Sequence, residues 1–115
     1  MKLQQVIDQL NIKVLCGDKP DEREVNGGYV SDLLSDVMGN AGENNIWITM
    51  QTHKNIVAVA VLKDLAAIVL VNGNKADDET LFHAGNEDVT VLSTTDSAFE
   101  FTGKLYNLLL KNESL

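Results

Sequence analysis

The stretch that decides the fold is Ile46-Trp47-Ile48-Thr49-Met50, Gln51-Thr52-His53, and then Ala67-Ile68-Val69-Leu70-Val71. Two short β-branched and apolar runs flank a segment of helical length, and each run has the size of a buried strand. The segment between them is ambiguous by propensity, because Ile56-Val57-Ala58-Val59-Ala60-Val61-Leu62 reads as a strand. Three features favour a helix over 54–64. Ala58 and Ala60 are small, Lys63-Asp64 suits a helix end, and the run Ala67–Val71 follows too soon for a plain meander. Tertiary context overrides propensity in such cases. A strand, a helix and a second strand predict a parallel pair with a helical crossover.

Working outward, Ile12–Cys16 reads as a buried strand and Val89–Leu92 as the last strand. A polar connection from Gly17 to Gly28 carries Pro20, and a further strand begins near Val25 and runs to Val30. Helices complete the pattern. Leu3, Val6, Ile7 and Leu10 have helical spacing over 2–10. Ser31 is placed as an N-cap with Asp32 in the first turn, and Leu33, Leu34, Val37 and Met38 as the buried face. Gly39-Asn40-Ala41-Gly42 stops that helix. Asp77-Asp78-Glu79 opens another, with Leu81 and Ala84 inward and Gly85 at its end. Ser97 and Glu100 have capping-box spacing ahead of Phe101, Leu105, Leu108 and Leu109. The expected fold class is α/β, one domain over 1–115, with a largely parallel sheet flanked by helices.

Size and charge narrow the function classes. With 115 residues and 44% hydrophobic content, the chain can build a core without disulfides or metal. The single cysteine, Cys16, excludes an intrachain disulfide and points to a reducing cytoplasm. Met1-Lys2-Leu3-Gln4-Gln5 lacks a signal-peptide layout, and the longest apolar stretch, Ile56–Leu62, is too short to cross a bilayer. A net charge of −8 argues against nucleic acid and anionic membranes as partners, since both require a basic surface. The acids are dispersed, as on a solvated surface, and no linker composition divides the chain.

The residues of chemical interest follow the strands: Gly17-Asp18, Gln51-Thr52-His53, Asn72-Gly73 and Ser93-Thr94-Thr95. If the strands are parallel, these meet at one edge, where α/β folds bind ligands. His53 suits ligand contact or proton transfer near neutral pH, or else belongs to a polar cluster capping the next helix through Thr52 or Asn55. His83 lies mid-helix and reads as structural or simply exposed. Arg23, the only arginine, can fork onto a carboxylate or phosphate, or pair internally with an acid to pin its loop. Gly27-Gly28 allows close backbone approach, but neither a dinucleotide fingerprint nor a P-loop occurs. Asp32, Ser35 and Asp36 share a helix face that is either solvated or available for acid–base work. Asn72-Gly73 is a turn, and Ser93-Thr94-Thr95 either caps a helix or offers hydroxyls to an anion. Cys16 reads as a packed thiol, and Cys16, His53 and His83 lack metal-ligand spacing, so no metal is expected.

Taken together, Gly17-Asp18, the run Gly27-Gly28-Tyr29-Val30-Ser31-Asp32-Leu33-Leu34-Ser35-Asp36-Val37 and Trp47 through His53 resemble the DRTGG domain family. The resemblance continues through Ile68–Gly73, Leu92-Ser93-Thr94, Phe99-Glu100 and Gly103-Lys104-Leu105-Tyr106. The letters DRTGG do not occur; Asp21-Glu22-Arg23 with Gly27-Gly28 comes nearest. The resemblance implies a bacterial accessory domain with a fold similar to the N-terminal domain of HPr kinase/phosphorylase. Relatives stand beside CBS modules in some bacterial pyrophosphatases and ahead of some phosphate acetyltransferases, where they pair subunits or sense a ligand without chemistry of their own.

The expectation is therefore a non-catalytic regulatory or ligand-binding module, a homodimer, with a small anionic or nucleotide-type ligand and no cofactor. Its polar contacts would come from Asp18, Arg23, Gln51, Thr52, His53, Asn72 and Thr94, with backbone amides near Gly27, Gly28 and Gly73. Trp47 and Tyr29 would serve packing or a subunit interface. Two rivals remain: a pure protein–protein scaffold, and a small enzyme using His53 as acid or base with Asp18 or Asp36.

Overall fold

The computed structural model describes residues 1–115. Its elements, in chain order, are α1 (Leu3–Leu10), β1 (Lys13–Cys16), β2 (Gly27–Val30), α2 (Leu34–Asn40), β3 (Asn45–Thr49), α3 (Asn55–Lys63), β4 (Ala67–Leu70), α4 (Asp78–Asn86), β5 (Val91–Ser93) and α5 (Ala98–Lys111). A single 3-10 turn, Pro20–Glu22, interrupts the connection between β1 and β2. The segment over 54–64 is a helix, as expected, and buries Ile56, Val57, Val59 and Ala60.

One five-stranded sheet has the order β1-β5-β4-β3-β2. The pairs β2–β3, β3–β4 and β4–β5 are parallel, and β1 runs antiparallel to β5 at one edge. The alternation of a strand sorts its side chains to two faces. Ile46, Ile48, Val69 and Leu92 meet α1 and α5 through Leu3, Val6, Phe101 and Leu105. Trp47, Ile68, Leu70 and Val91 meet the other three helices through Val37, Ile56, Val57 and Ala84. The result is a single α/β domain with helices on both faces of a mostly parallel sheet. No helix is long and apolar enough to cross a membrane.

Several local expectations are corrected. β1 is an edge strand with Lys13 and Val14 exposed, not a buried one, because it pairs only with β5. The helix after β2 begins at Leu34, three residues past Ser31, and its cap position is Leu33. Ser31 Oγ accepts from the Leu33 N–H at 3.1 Å, a turn ahead of the helix, and Asp32 is drawn to the end of β3 instead. Of the expected buried face only Val37 is buried; Leu33 is 63% exposed, since α2 is short and contacts its neighbours on one side. Gly85 lies inside α4, which ends at Asn86, with Asp88 taking the left-handed turn at φ 56°. The last strand starts two residues later than Val89. Trp47 is fully buried and donates from Nε1 to the Ser31 carbonyl at 2.8 Å, so it is core and not a subunit contact.

Candidate functional site

The direction of β1 separates the residues the sequence grouped together. The parallel strands end at one edge, but β1 ends at the other, so Gly17 and Asp18 lie beside the beginnings of β4 and β5. Arg23 lies with them. Gln51, Thr52, His53, Asn72, Gly73 and Thr94 lie at the carboxyl edge. Gly27 and Gly28 begin β2 at the same edge as Gly17 and Asp18, but at the far end of the sheet and outside that group. A Cβ at Gly28 would stand 3.2 Å from Leu105 Cδ2, so this glycine lets α5 lie close against the sheet.

At the carboxyl edge, the chain leaves β4 for α4 on one face and β5 for α5 on the other. Such a divergence opens the usual crevice of an α/β sheet. Here the two loops are laced together across it. The Asn72 N–H donates to the Asp96 carbonyl and the Gly73 N–H to the Thr94 carbonyl, both at 2.8 Å. Asn72 and Gly73 take left-handed backbone at φ 58° and 71°, which aims these donors. Ser93 Oγ donates to the Asn74 carbonyl at 3.1 Å.

The loop after β3 is tied down in the same way. Asp32 Oδ1 accepts from Thr49 Oγ1 and from the Met50 N–H, each at 2.8 Å, and Gln51 Nε2 donates to the Asp32 carbonyl at 2.9 Å. Thr80 Oγ1, on α4, donates to the Thr52 carbonyl at 2.8 Å. His53 is exposed, with Nδ1 3.9 Å from Asp77 Oδ2. Asp36 is engaged elsewhere: Tyr29 Oη donates to its Oδ1 at 2.7 Å and Asn40 Nδ2 at 2.9 Å. Hydrogen bonds from Tyr29 first, then Ser31 and Asn40, hold the Asp36 carboxyl below its ordinary range, and the bond to Asp36 raises the Tyr29 hydroxyl. The constellation of His53 with Asp18 or Asp36 that an acid–base enzyme requires is therefore not assembled.

The opposite edge holds a cleft of about 580 Å³, between the β1 loop, the starts of β4 and β5, and the end of α4. Its floor is apolar, with Leu65, Ala66, Ala84 and Val89. Its rim carries Asp18, Glu22 and Asp88 beside Lys19 and Arg23. Gly17 shapes the entrance with φ 130°, and a Cβ there would stand 2.6 Å from Thr90 Oγ1.

Arg23 is pinned by a residue the sequence did not suggest. Its Nη2 donates to both the carbonyl and the Oδ1 of Asp64, the latter at 2.9 Å. Asp64 is the left-handed cap of α3, so the guanidinium closes the negative end of that helix. Arg23 Nε is buried without a partner, and the side chain remains 31% exposed toward solvent. Cys16 Sγ borders the cleft and donates to the Leu81 carbonyl at 3.6 Å. Burial first, and the charge of Asp18 second, push its thiol above the usual range, away from the lowered values of nucleophilic cysteines. Among Cys, His, Asp and Glu no group of three is placed to hold a metal ion.

Lys19, Glu22 and Asp88 are charged groups of this cleft that the expected site did not include. Only the reversal of β1 brings them together, and a strand's direction leaves no mark in its residue pattern.

No protein-family model matches the chain, and no curated protein matches it by sequence. Among solved structures, it is similar to the CBS and DRTGG domains of the regulatory region of Clostridium perfringens pyrophosphatase, complexed with the activator diadenosine tetraphosphate. The TM-score is 0.71 at 18% identity, over 89% of this chain and 44% of that one, so this chain spans under half of that neighbour's length. At this identity the likeness is one of fold, and it agrees with a DRTGG-like architecture.

Proposed function

We propose that this protein is a non-catalytic regulatory module, acting as a homodimer in a bacterial cytoplasm, that takes a small ligand in the cleft beside Asp18 and Arg23. The observation that carries this reading is the cleft itself. Its volume of about 580 Å³ lies in the range of small-molecule sites, with an apolar floor and a polar rim. Asp18 and Arg23 are the two sequence-selected residues that border it.

The chemistry of the rim favours a ligand with two kinds of group. Lys19 and the open side of Arg23 suit an anionic group, while Asp18 and Asp88 accept hydrogen bonds from hydroxyls. A nucleotide or a sugar phosphate offers both. The likeness to a regulatory region that binds a nucleotide activator supports the same class of ligand.

The test is a thermal-shift screen against nucleotides, sugar phosphates and small anions, with Asp18→Asn beside the wild type. A ligand that binds only the folded state raises the melting temperature with its occupancy. The expected result is a shift in the wild type that shrinks in Asp18→Asn, an exposed substitution that spares the fold. No shift across the panel, or one unchanged by Asp18→Asn, overturns the cleft as the site. The rival reading, an interaction scaffold, is favoured by one feature, the exposed apolar seam of α5.

A further inference from the structure

Helix α5 has two apolar sides. Phe101, Leu105 and Leu109 enter the core. Phe99, Tyr106 and Leu110 do not: Phe99 is 89% exposed, Tyr106 57% and Leu110 55%. With Gly103 between them, these positions follow the i, i+4, i+7, i+11 spacing of a helical seam about 16 Å long. Val30, at the end of β2, extends the seam sideways, and the two border one shallow groove. Single exposed apolar residues need no explanation, but a contiguous row does.

Gly103 is the second observation. Glycine in the middle of a helix is unfavourable against alanine. Nothing inside this chain requires it, since a Cβ at Gly103 meets no atom within 4 Å. What a missing Cβ permits there is the close approach of a surface from outside.

We infer that this seam is where a second copy of the chain docks, with the two α5 helices antiparallel about an axis beside Lys104. The sequence of the seam is self-complementary in that arrangement. Phe99 of one copy lies against Leu110 of the other, and Gly103 against Tyr106, as a two-fold axis requires. The polar flank agrees. Glu100 near the start of the helix meets Lys111 near its end, twice over, and the helix dipoles oppose. Lys104, nearest the axis, is already neutralised by Asp96 at 2.8 Å, so the two copies do not confront each other with free like charges there. Docking also covers part of an apolar surface that a chain of net charge −8 otherwise leaves in water.

This assignment rests on the homodimer in the proposed function and adds its face. The test is the mass in solution by light scattering across the micromolar range, for the wild type, Phe99→Asp, Tyr106→Asp, and the charge reversals Glu100→Lys and Lys111→Glu, singly and together. The wild type is expected at twice 12.6 kDa. Each aspartate variant is expected to weaken the dimer at least about a hundredfold while keeping its helical spectrum, as for an aromatic anchor of an interface. Each single reversal weakens it, and the double reversal restores it. A monomeric wild type overturns both the dimer and its face. A dimer that ignores Phe99→Asp and Tyr106→Asp overturns the face and leaves the dimer standing. A dimer broken by the aspartates but not restored by the double reversal overturns the antiparallel register.

Discussion

Replacing Gly17 by alanine tests the entrance of the cleft, and its cost divides into two separable parts. The first is backbone strain. Gly17 has φ 130°, a conformation that side-chain-bearing residues rarely adopt, and holding one there costs about 1–3 kcal/mol. The second is steric. The new Cβ would stand 2.6 Å from Thr90 Oγ1 and 3.0 Å from its Cβ and Cγ2, and Thr90 is buried, so the contact includes its main-chain-bound Cβ and is not relieved by the hydroxyl alone. Overpacking of that kind costs about 1–3 kcal/mol. Together they predict a loss of about 2–6 kcal/mol for Gly17→Ala, a large share of a small domain's stability. Urea unfolding of Gly17→Ala, Thr90→Ala and the double variant reads the two parts. Thr90→Ala removes Oγ1 and Cγ2 but keeps the Cβ, so the double variant recovers most of the steric part, about 1–2 kcal/mol against additivity, and retains the strain. A Gly17→Ala variant within about 0.5 kcal/mol of the wild type refutes this account of the β1 turn, as does a strictly additive cycle.

Three further outcomes follow from the hydrogen-bond geometry. Asp32→Ala removes the acceptor shared by the buried Thr49 hydroxyl and the Met50 N–H and costs about 2 kcal/mol in urea unfolding, with Asp32→Asn costing less because one oxygen acceptor remains. Trp47→Phe leaves the Ser31 carbonyl without its indole donor and opens space in a fully buried site, for a loss of about 1–3 kcal/mol by the same assay. The pH profile of stability has two limbs. The Asp36, Glu24 and Glu79 carboxyls are held low by their hydrogen-bond partners, so the stability they contribute is present above the ordinary carboxylate range near pH 4 and is lost as pH falls through their folded values. Tyr29 and Lys104 are held high by Asp36 and Asp96, so their share is present below about pH 10 and is lost as pH rises through their folded values. Melting temperatures of Asp36→Asn against the wild type check this, the variant showing a flatter profile at both limits.

What the sequence makes legible is what its periodicity controls. The helix over 54–64 is readable despite its β-branched residues, because Ala58 and Ala60 are small, Lys63-Asp64 suits a helix end, and the strand at Ala67 follows too soon for a plain meander. The alternation along Ile46–Thr49 and Ala67–Leu70 sorts two core faces, and each face has its own helices. The direction of β1 is not readable, since the run Ile12–Cys16 has the same pattern whichever way it points. One clue to its position was present: Lys13 within a short apolar run marks an edge strand. The site divided for that reason. Asp18 and Arg23 share a cleft with Asp88, and the residues after β3, β4 and β5 lie at the far edge, tied to one another. The partner of Arg23 was equally hidden, because Asp64 is 41 residues away and its place as a helix cap says nothing of what it meets.

The central claim is that a ligand is taken at the amino-terminal edge of the parallel strands and not at the carboxyl edge. Amide chemical-shift mapping with the tightest-binding nucleotide or sugar phosphate of the panel separates the two. The account predicts that Gly17, Asp18, Gly85 and Thr90 shift on titration, while Asn72, Gly73 and Thr94 stay in place. Shifts confined to Asn72, Gly73, Thr94 and the loop around His53 would contradict it and return the site to the edge that the loops have closed.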